Sequence, residues 1–105
     1  MTPNEFDRLA DAMFERIAAA IEESGADCDY EPKGSGVLEI EFADASRIVV
    51  NRHLAAQEIW VAAKSGGYHF RFDGSAWVDT RGGRELLAAL SGFMSEQSKK
   101  AIVLR

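Results

Sequence analysis

At 105 residues, with 47% hydrophobic and 28% charged side chains, the chain has the makings of one folded domain over residues 1–105 and not of a disordered segment. A formal net charge of −5 argues against nucleic acid, whose phosphates need a basic face, and no apolar run reaches the roughly 20 residues of a membrane span. The single Cys28 excludes an internal disulfide or a cysteine-rich metal site and, with no signal-peptide pattern at the start, points to a reducing, cytoplasmic setting.

The first element reads as a helix. Thr2 suits the cap, Pro3 the first helical position and Glu5 the return arm of a capping box. Phe6, Leu9, Met13, Ile17, Ala20 and Ile21 then recur at helical spacing until Gly25 supplies a stop. The period next becomes alternating: Asp27, Asp29 and Glu31 take turns with Cys28 and Tyr30, as on an edge strand closed by Pro32. Further strands are expected at Val37–Phe42, Arg47–Asn51, Glu58–Ala63 and Tyr68–Asp73, with a short one around Trp77 and Val78. Turn residues such as Gly34-Ser35-Gly36 and Gly66-Gly67 keep the connections short, which dictates antiparallel hairpins. After Gly82-Gly83 a second helix presents Leu86, Leu87, Leu90, Phe93 and Met94, and Ala101–Leu104 is apolar enough to fold back on the helices. The expected fold is α+β: a two-layer α/β sandwich with an N- and a C-terminal helix on one face of a five- or six-stranded antiparallel sheet.

The charge is unevenly spread. Residues 1–31 hold nine carboxylates against Arg8 and Arg16, whereas the remainder carries ten bases and eight acids. Helical spacing puts Asp7, Asp11, Glu15 and Glu22 on one stripe, with Glu5 and Glu23 to another side. Asp27, Asp29 and Glu31 follow directly on the first strand, so the two sets are expected to adjoin, without internal counterions, as an acidic ridge. Oxygen donors of this kind suit hard cations such as Mg²⁺, Ca²⁺, Mn²⁺ or iron, held weakly because an open surface builds no cage. A solvated acidic face with no ligand, or a docking surface for a basic protein, would use the same charges.

A second candidate surface is the uncovered sheet face. Alternation places Arg47, Val49 and Asn51, then Glu58, Trp60 and Ala62, then His69 and Arg71 on it. An aromatic ringed by polar groups has the makeup of an interface anchor, although Trp60 stacked on a cross-strand neighbour would give the same pattern. No nucleophile accompanies His53 or His69, and Cys28 reads as a small core residue. The chain is therefore not expected to be an enzyme.

The run Asn51-Arg52, Ile59-Trp60-Val61-Ala62, Gly66-Gly67-Tyr68-His69-Phe70, Gly74 and Trp77, together with Glu5-Phe6-Asp7-Arg8-Leu9-Ala10-Asp11, resembles the bacterial frataxins in order and spacing across essentially the whole chain. The resemblance implies weak, reversible binding of Fe²⁺ or Fe³⁺ by Asp7, Asp11, Glu15, Glu22, Glu23, Asp27, Asp29 and Glu31. It also implies a role in iron–sulfur cluster assembly, with the cysteine desulfurase and the scaffold protein as partners bound through the acidic ridge and contacted on the sheet face through Asn51, Trp60 and His69. A monomer is expected, with metal-driven oligomers left open. The rival reading is an acidic interaction module that regulates the desulfurase and binds metal incidentally. Two departures from the family pattern stand out: Ala18-Ala19-Ala20 leaves a gap in the ridge, and Glu58 replaces a common glutamine beside Trp60.

Overall fold

The computed structural model describes residues 1–105. Two helices, α1 (Pro3–Ser24) and α2 (Leu86–Ser98), flank six strands: β1 (Cys28–Pro32), β2 (Val37–Phe42), β3 (Arg47–His53), β4 (Glu58–Ala63), β5 (Gly66–Phe72) and β6 (Trp77–Asp79). The strands form one antiparallel sheet in chain order, β1-β2-β3-β4-β5-β6. The expected sandwich is the one observed.

Local chemistry sets the ends of α1. Glu5 N–H donates to Thr2 Oγ1 and Thr2 N–H to Glu5 Oε1, both at 3.1 Å, so the capping box closes in both directions. Gly25, at φ 69°, ends the helix in the left-handed conformation that glycine adopts without a Cβ clash. Between these caps Phe6, Ala10, Met13, Ile17, Ala20 and Ile21 form the buried stripe. Opposite it the sheet supplies Leu38, Ile40, Phe42, Ile48, Val50, Ile59, Val61 and Phe70, which are at most 5% exposed. Phe6 meets Trp77 edge to face at 5.9 Å, joining the first helix to the last strand.

α2 starts without a Ser, Thr, Asp or Asn cap. The carboxylate of Glu85 takes that role, accepting from the N–H groups of Leu87 (2.8 Å) and Ala88 (3.3 Å). The residues after it do fold back. Ser95 Oγ accepts from Ile102 N–H (2.9 Å) and donates to Ile102 O (3.0 Å), and Ser91 Oγ accepts from Leu104 N–H (2.8 Å). Two helix serines thus satisfy an extended segment that has no strand partner, and Ile102 and Leu104 are buried.

Two strands differ from expectation in their bounds, and β5 in addition ends at Phe72 instead of Asp73. β3 runs on to His53 because Arg52 N–H donates to Gly36 O (2.8 Å) and the ladder to β4 continues through Arg52↔Ile59 and His53↔Glu58. β5 begins at Gly66, since the two glycines pair with Ala62 and Ala63 and so belong to the strand as well as to its turn.

Candidate functional site

Of the eight predicted metal-binding acids, five belong to α1, with Glu23 to one side of Asp7, Asp11, Glu15 and Glu22; Asp27 lies in the turn before β1, and Asp29 and Glu31 lie on it. All are exposed except Asp7, which is half-buried. The Ala18–Ala20 gap has a packing cause at one position, because Ala20 belongs to the core.

The expectation of acids without internal counterions is corrected for three of the eight. Arg52 leaves the end of β3 on the helix side of the sheet and reaches α1. Its Nη1 donates to Asp7 Oδ1 at 3.3 Å and to Asp7 O at 3.4 Å, and its Nη2 pairs with Asp11 Oδ1. The guanidinium also lies 5.8 Å from the ring centroid of Phe14. It is only 17% exposed, and its Nε is buried with no acceptor. Gly36 makes the route possible: a Cβ there would come within 2.9 Å of that Nε, and its φ of 82° favours glycine as well. The third paired acid is Glu31, bridged to Lys33 at 2.6 Å; that hydrogen bond and charge hold its carboxyl below the ordinary range.

Glu15, Glu22, Glu23, Asp27 and Asp29 have no salt bridge within the chain. Glu22 accepts from Tyr30 Oη at 2.6 Å, a bond that pushes the phenol above its usual value and links α1 to β1. Burial first, then Asp29, Asp27 and Glu22, push the half-buried Cys28 thiol up. That thiol is disfavoured as a thiolate ligand.

The expectation that the helix and strand acids adjoin on one surface is the other one corrected. Tyr30 lies opposite the buried Ile40 and turns toward the helices, so Asp29 and Glu31 point to the uncovered face. There the register sets Asp29 directly across from Glu41 and Glu31 across from Glu39, and the four carboxylates line a shallow depression. Arg47 partly offsets them at 3.5 Å from Glu41 and 3.7 Å from Glu39. Opposed like charges on an antiparallel pair destabilise it unless a cation intervenes. Glu39 and Glu41 face outward by the alternation of β2, and only the register makes them part of the acidic group. No three His, Cys, Asp or Glu side chains converge as a preformed cage. The donor set is oxygen alone, on two open faces, which fits weak capture of a hard cation.

On the uncovered face Asn51, Trp60 and His69 lie in one cross-strand row, Asn51↔Trp60↔His69. The three predicted partner-binding residues are therefore neighbours. Trp60 is stacked on both sides by histidines, His53 at 4.0 Å and His69 at 4.4 Å. His53 was not among the predicted site residues; its place across from Glu58 follows from the two extra residues of β3. Glu58, expected to be an exposed charge, is 5% exposed. It accepts from Trp60 Nε1 at 2.9 Å and from Arg71 Nη2 at 2.6 Å. Burial opposes its charge, but the bonds from Trp60 and Arg71 outweigh burial and hold the carboxyl below the ordinary glutamate range.

Comparison with known proteins follows the same lines. Residues 1–100 match the model of the frataxin-like domain family. The chain is 55% identical to the iron-sulfur cluster assembly protein CyaY of Dechloromonas aromatica over 105 residues, covering 100% of both chains. It is 51% identical to that of Cupriavidus metallidurans over 108 residues, covering 100% of this chain and 97% of the relative. Among solved structures, a frataxin from Psychromonas ingrahamii superposes with a TM-score of 0.90 at 37% identity, covering 98% of this chain and 97% of the other. The trimeric frataxin of Saccharomyces cerevisiae gives a TM-score of 0.61 at 27% identity, covering 92% and 78%.

Proposed function

From the premise that this chain belongs to the frataxin-like family, we propose that it is a non-catalytic modulator of iron–sulfur cluster assembly that binds Fe²⁺ or Fe³⁺ weakly as cargo and docks on the cysteine desulfurase and its scaffold protein. The observation that carries the reading is the set of five acids with no internal cation: Glu15, Glu22 and Glu23 on α1, Asp27 in the turn after it, and Asp29 on the uncovered face of β1. Their mutual repulsion is relieved either by a hard cation or by a basic protein surface, and both ligands compete for the same oxygens. The row Asn51, Trp60, His69 supplies packing and orientation at the contact. Relatives bearing the name iron-sulfur cluster assembly protein support the pathway, and the all-oxygen donor set supports the cargo. The proposed working state is a cytoplasmic monomer, as suits a member of the bacterial iron–sulfur assembly relatives. Metal-linked assembly into larger species is the state in which the remaining acids would be shared between copies.

The interaction-module reading is favoured by one observation, the internal pairing of Asp7, Asp11 and Glu31, which removes three oxygen clusters from ready metal access. Charge reversal at unpaired acids separates the two. Glu22→Lys with Asp29→Lys should weaken both Fe²⁺ binding and desulfurase binding, and the desulfurase affinity of the unmodified protein should fall as salt rises. Desulfurase affinity that ignores both salt and charge reversal would refute the electrostatic mechanism. Loss of desulfurase binding with Fe²⁺ binding unchanged would leave the interaction module.

A further inference from the structure

β3 carries two arginines that meet acids of neighbouring elements, and the fold holds them differently. Arg47, on the uncovered face, reaches Glu41 at 3.5 Å and Glu39 at 3.7 Å through Nε, from a side chain that is 57% exposed. A long exposed side chain loses little by swinging into water, so an arriving cation displaces it readily. Arg52 leaves the opposite face of the strand with only 17% of its side chain exposed. Its N–H donates to Gly36 O at 2.8 Å, and it pairs with Ile59 in the ladder to β4, so its backbone is pinned on both sides. Its stem lies against Gly36, and its guanidinium lies 5.8 Å from the ring centroid of Phe14. To leave, Arg52 must give up this packing as well as its charge partners.

The partners match that fixity. Asp7 and Asp11 stand one turn apart on α1, where side chains at i and i+4 are neighbours. The guanidinium spans them: Nη1 donates to Asp7 Oδ1 (3.3 Å) and to the Asp7 carbonyl (3.4 Å), and Nη2 donates to Asp11 Oδ1. The bond to a main-chain oxygen fastens β3 to the helix itself. A cation that nears either carboxylate meets a positive charge already seated between them. Glu22 and Asp29 present no such obstacle. Neither has a salt bridge within the chain, and Asp29 lies across from a second carboxylate, Glu41.

We propose that Arg52 sorts the acids: it keeps Asp7 and Asp11 as structural partners that carry no cargo, and leaves a hard cation to the carboxylates without a fixed counter-ion. Asp7 and Asp11 become ligands only when the guanidinium is removed. Arg52 is thus a selectivity residue that touches no cargo. The inference rests on the reading of the unpaired acids as weak ligands, and it takes two residues out of the set of eight.

Titration of ¹⁵N-labelled protein with Mn²⁺ reads the sorting, because the paramagnetic ion erases amide signals near its site. At about 1.5 Å per residue along α1, Asp7 and Glu22 are about 22 Å apart, so the two ends report separately. Salt at about 0.15 M, where the Debye length is about 8 Å, keeps each end from sensing the charge of the other. In the unmodified protein the Glu22 and Asp29 signals should vanish first, while Asp7 and Leu54, which line one hollow with Arg52, survive to roughly fivefold more Mn²⁺. In Arg52→Gln the Asp7 and Leu54 signals should vanish at roughly fivefold less Mn²⁺ than in the unmodified protein, with the Glu22 and Asp29 midpoints moved by less than about twofold. Its metal-free amide spectrum establishes that this variant is folded. A second measure keeps Arg52: in Asp7→Asn with Asp11→Asn, the Glu22 and Asp29 midpoints should also stay within about twofold. Three results would each overturn the proposal and leave weak cation capture standing: Asp7 signals lost together with those of Glu22 in the unmodified protein, an Asp7 midpoint unmoved in Arg52→Gln, or Glu22 and Asp29 midpoints raised beyond about twofold in the aspartate double variant. No signal lost near any of these carboxylates at millimolar Mn²⁺ would overturn that capture, and the proposal with it.

Discussion

Replacing Arg52 with glutamine tests the balance of forces at the α1–β3 junction. The carboxylates it reaches, Asp7 and Asp11, are 47% and 61% exposed, so solvent screening limits each ion pair to roughly 0.5 kcal/mol. The contact with Phe14 contributes about 0.5–1 kcal/mol, and the packed stem, on a side chain only 17% exposed, about as much again. Removing the buried Nε that has no acceptor returns up to about 1 kcal/mol. The net loss is about 1.5 kcal/mol, which for a chain near 100 residues lowers the melting temperature by roughly 6 °C. Two further signs mark the cause as electrostatic. The gap between variant and unmodified protein should narrow in 0.5 M NaCl, and millimolar Mn²⁺ should raise the melting temperature of the variant by more, because Asp7 and Asp11 have lost their tethered cation. Scanning calorimetry at low ionic strength, with and without Mn²⁺, reads all three quantities. A change under 1 °C, or an equal Mn²⁺ increment in both proteins, would refute the assignment of Arg52 as the counter-ion of these acids.

Gly36→Ala combines a left-handed φ with a 2.9 Å approach to Arg52 Nε, so it should cost roughly 2 kcal/mol in urea unfolding and reproduce the Mn²⁺ response of Arg52→Gln. Leu104→Ala should cost about 2–3 kcal/mol by the same assay, because the side chain is 4% exposed, whereas Val103→Ala, at a position 59% exposed, should change stability by less than about 0.5 kcal/mol. Glu58 has a folded pKa below its unfolded one, so its contribution is fully present above the ordinary glutamate value near 4.3 and is lost as pH falls through that value toward the lower folded one. Glu58→Gln should accordingly lower stability at pH 7 and flatten the fall in urea midpoint between about pH 5 and pH 3; an unchanged acid limb would show that Glu58 is not one of the groups driving it.

The features that could be read from the chain are those encoded within a few residues. Thr2, Pro3, Glu5 and Gly25 announce α1, and the alternation in Val37–Phe42 announces which side of β2 is buried. The positions of the candidate acids on α1 and β1 follow from the same local periods. What could not be read depends on register or on reach. Nothing near Glu39 reveals that Glu31 sits across from it, because register is a property of the pair. Arg52 meets Asp7 across 45 residues of sequence, and neither end carries a local mark of the other. Glu58 follows the alternation of an outward residue, yet Trp60, His69 and Arg71 close over it and bury a charge on the wet face. His53 escapes notice for a related reason: the strand that presents it is longer than its flanking turn residues indicate.

The order of the strands also bears on how the chain is made. Each strand lies beside its successor, so the sheet can close hairpin by hairpin over short loops as it emerges from the ribosome. α1 has no such neighbour. Its apolar stripe is synthesised first, and Phe6 waits about seventy residues for Trp77, roughly 4–14 s at bacterial and eukaryotic elongation rates. During that interval the crowded carboxylates of the first thirty-one residues are the nascent segment's protection against self-association, a service rendered before any ligand is met.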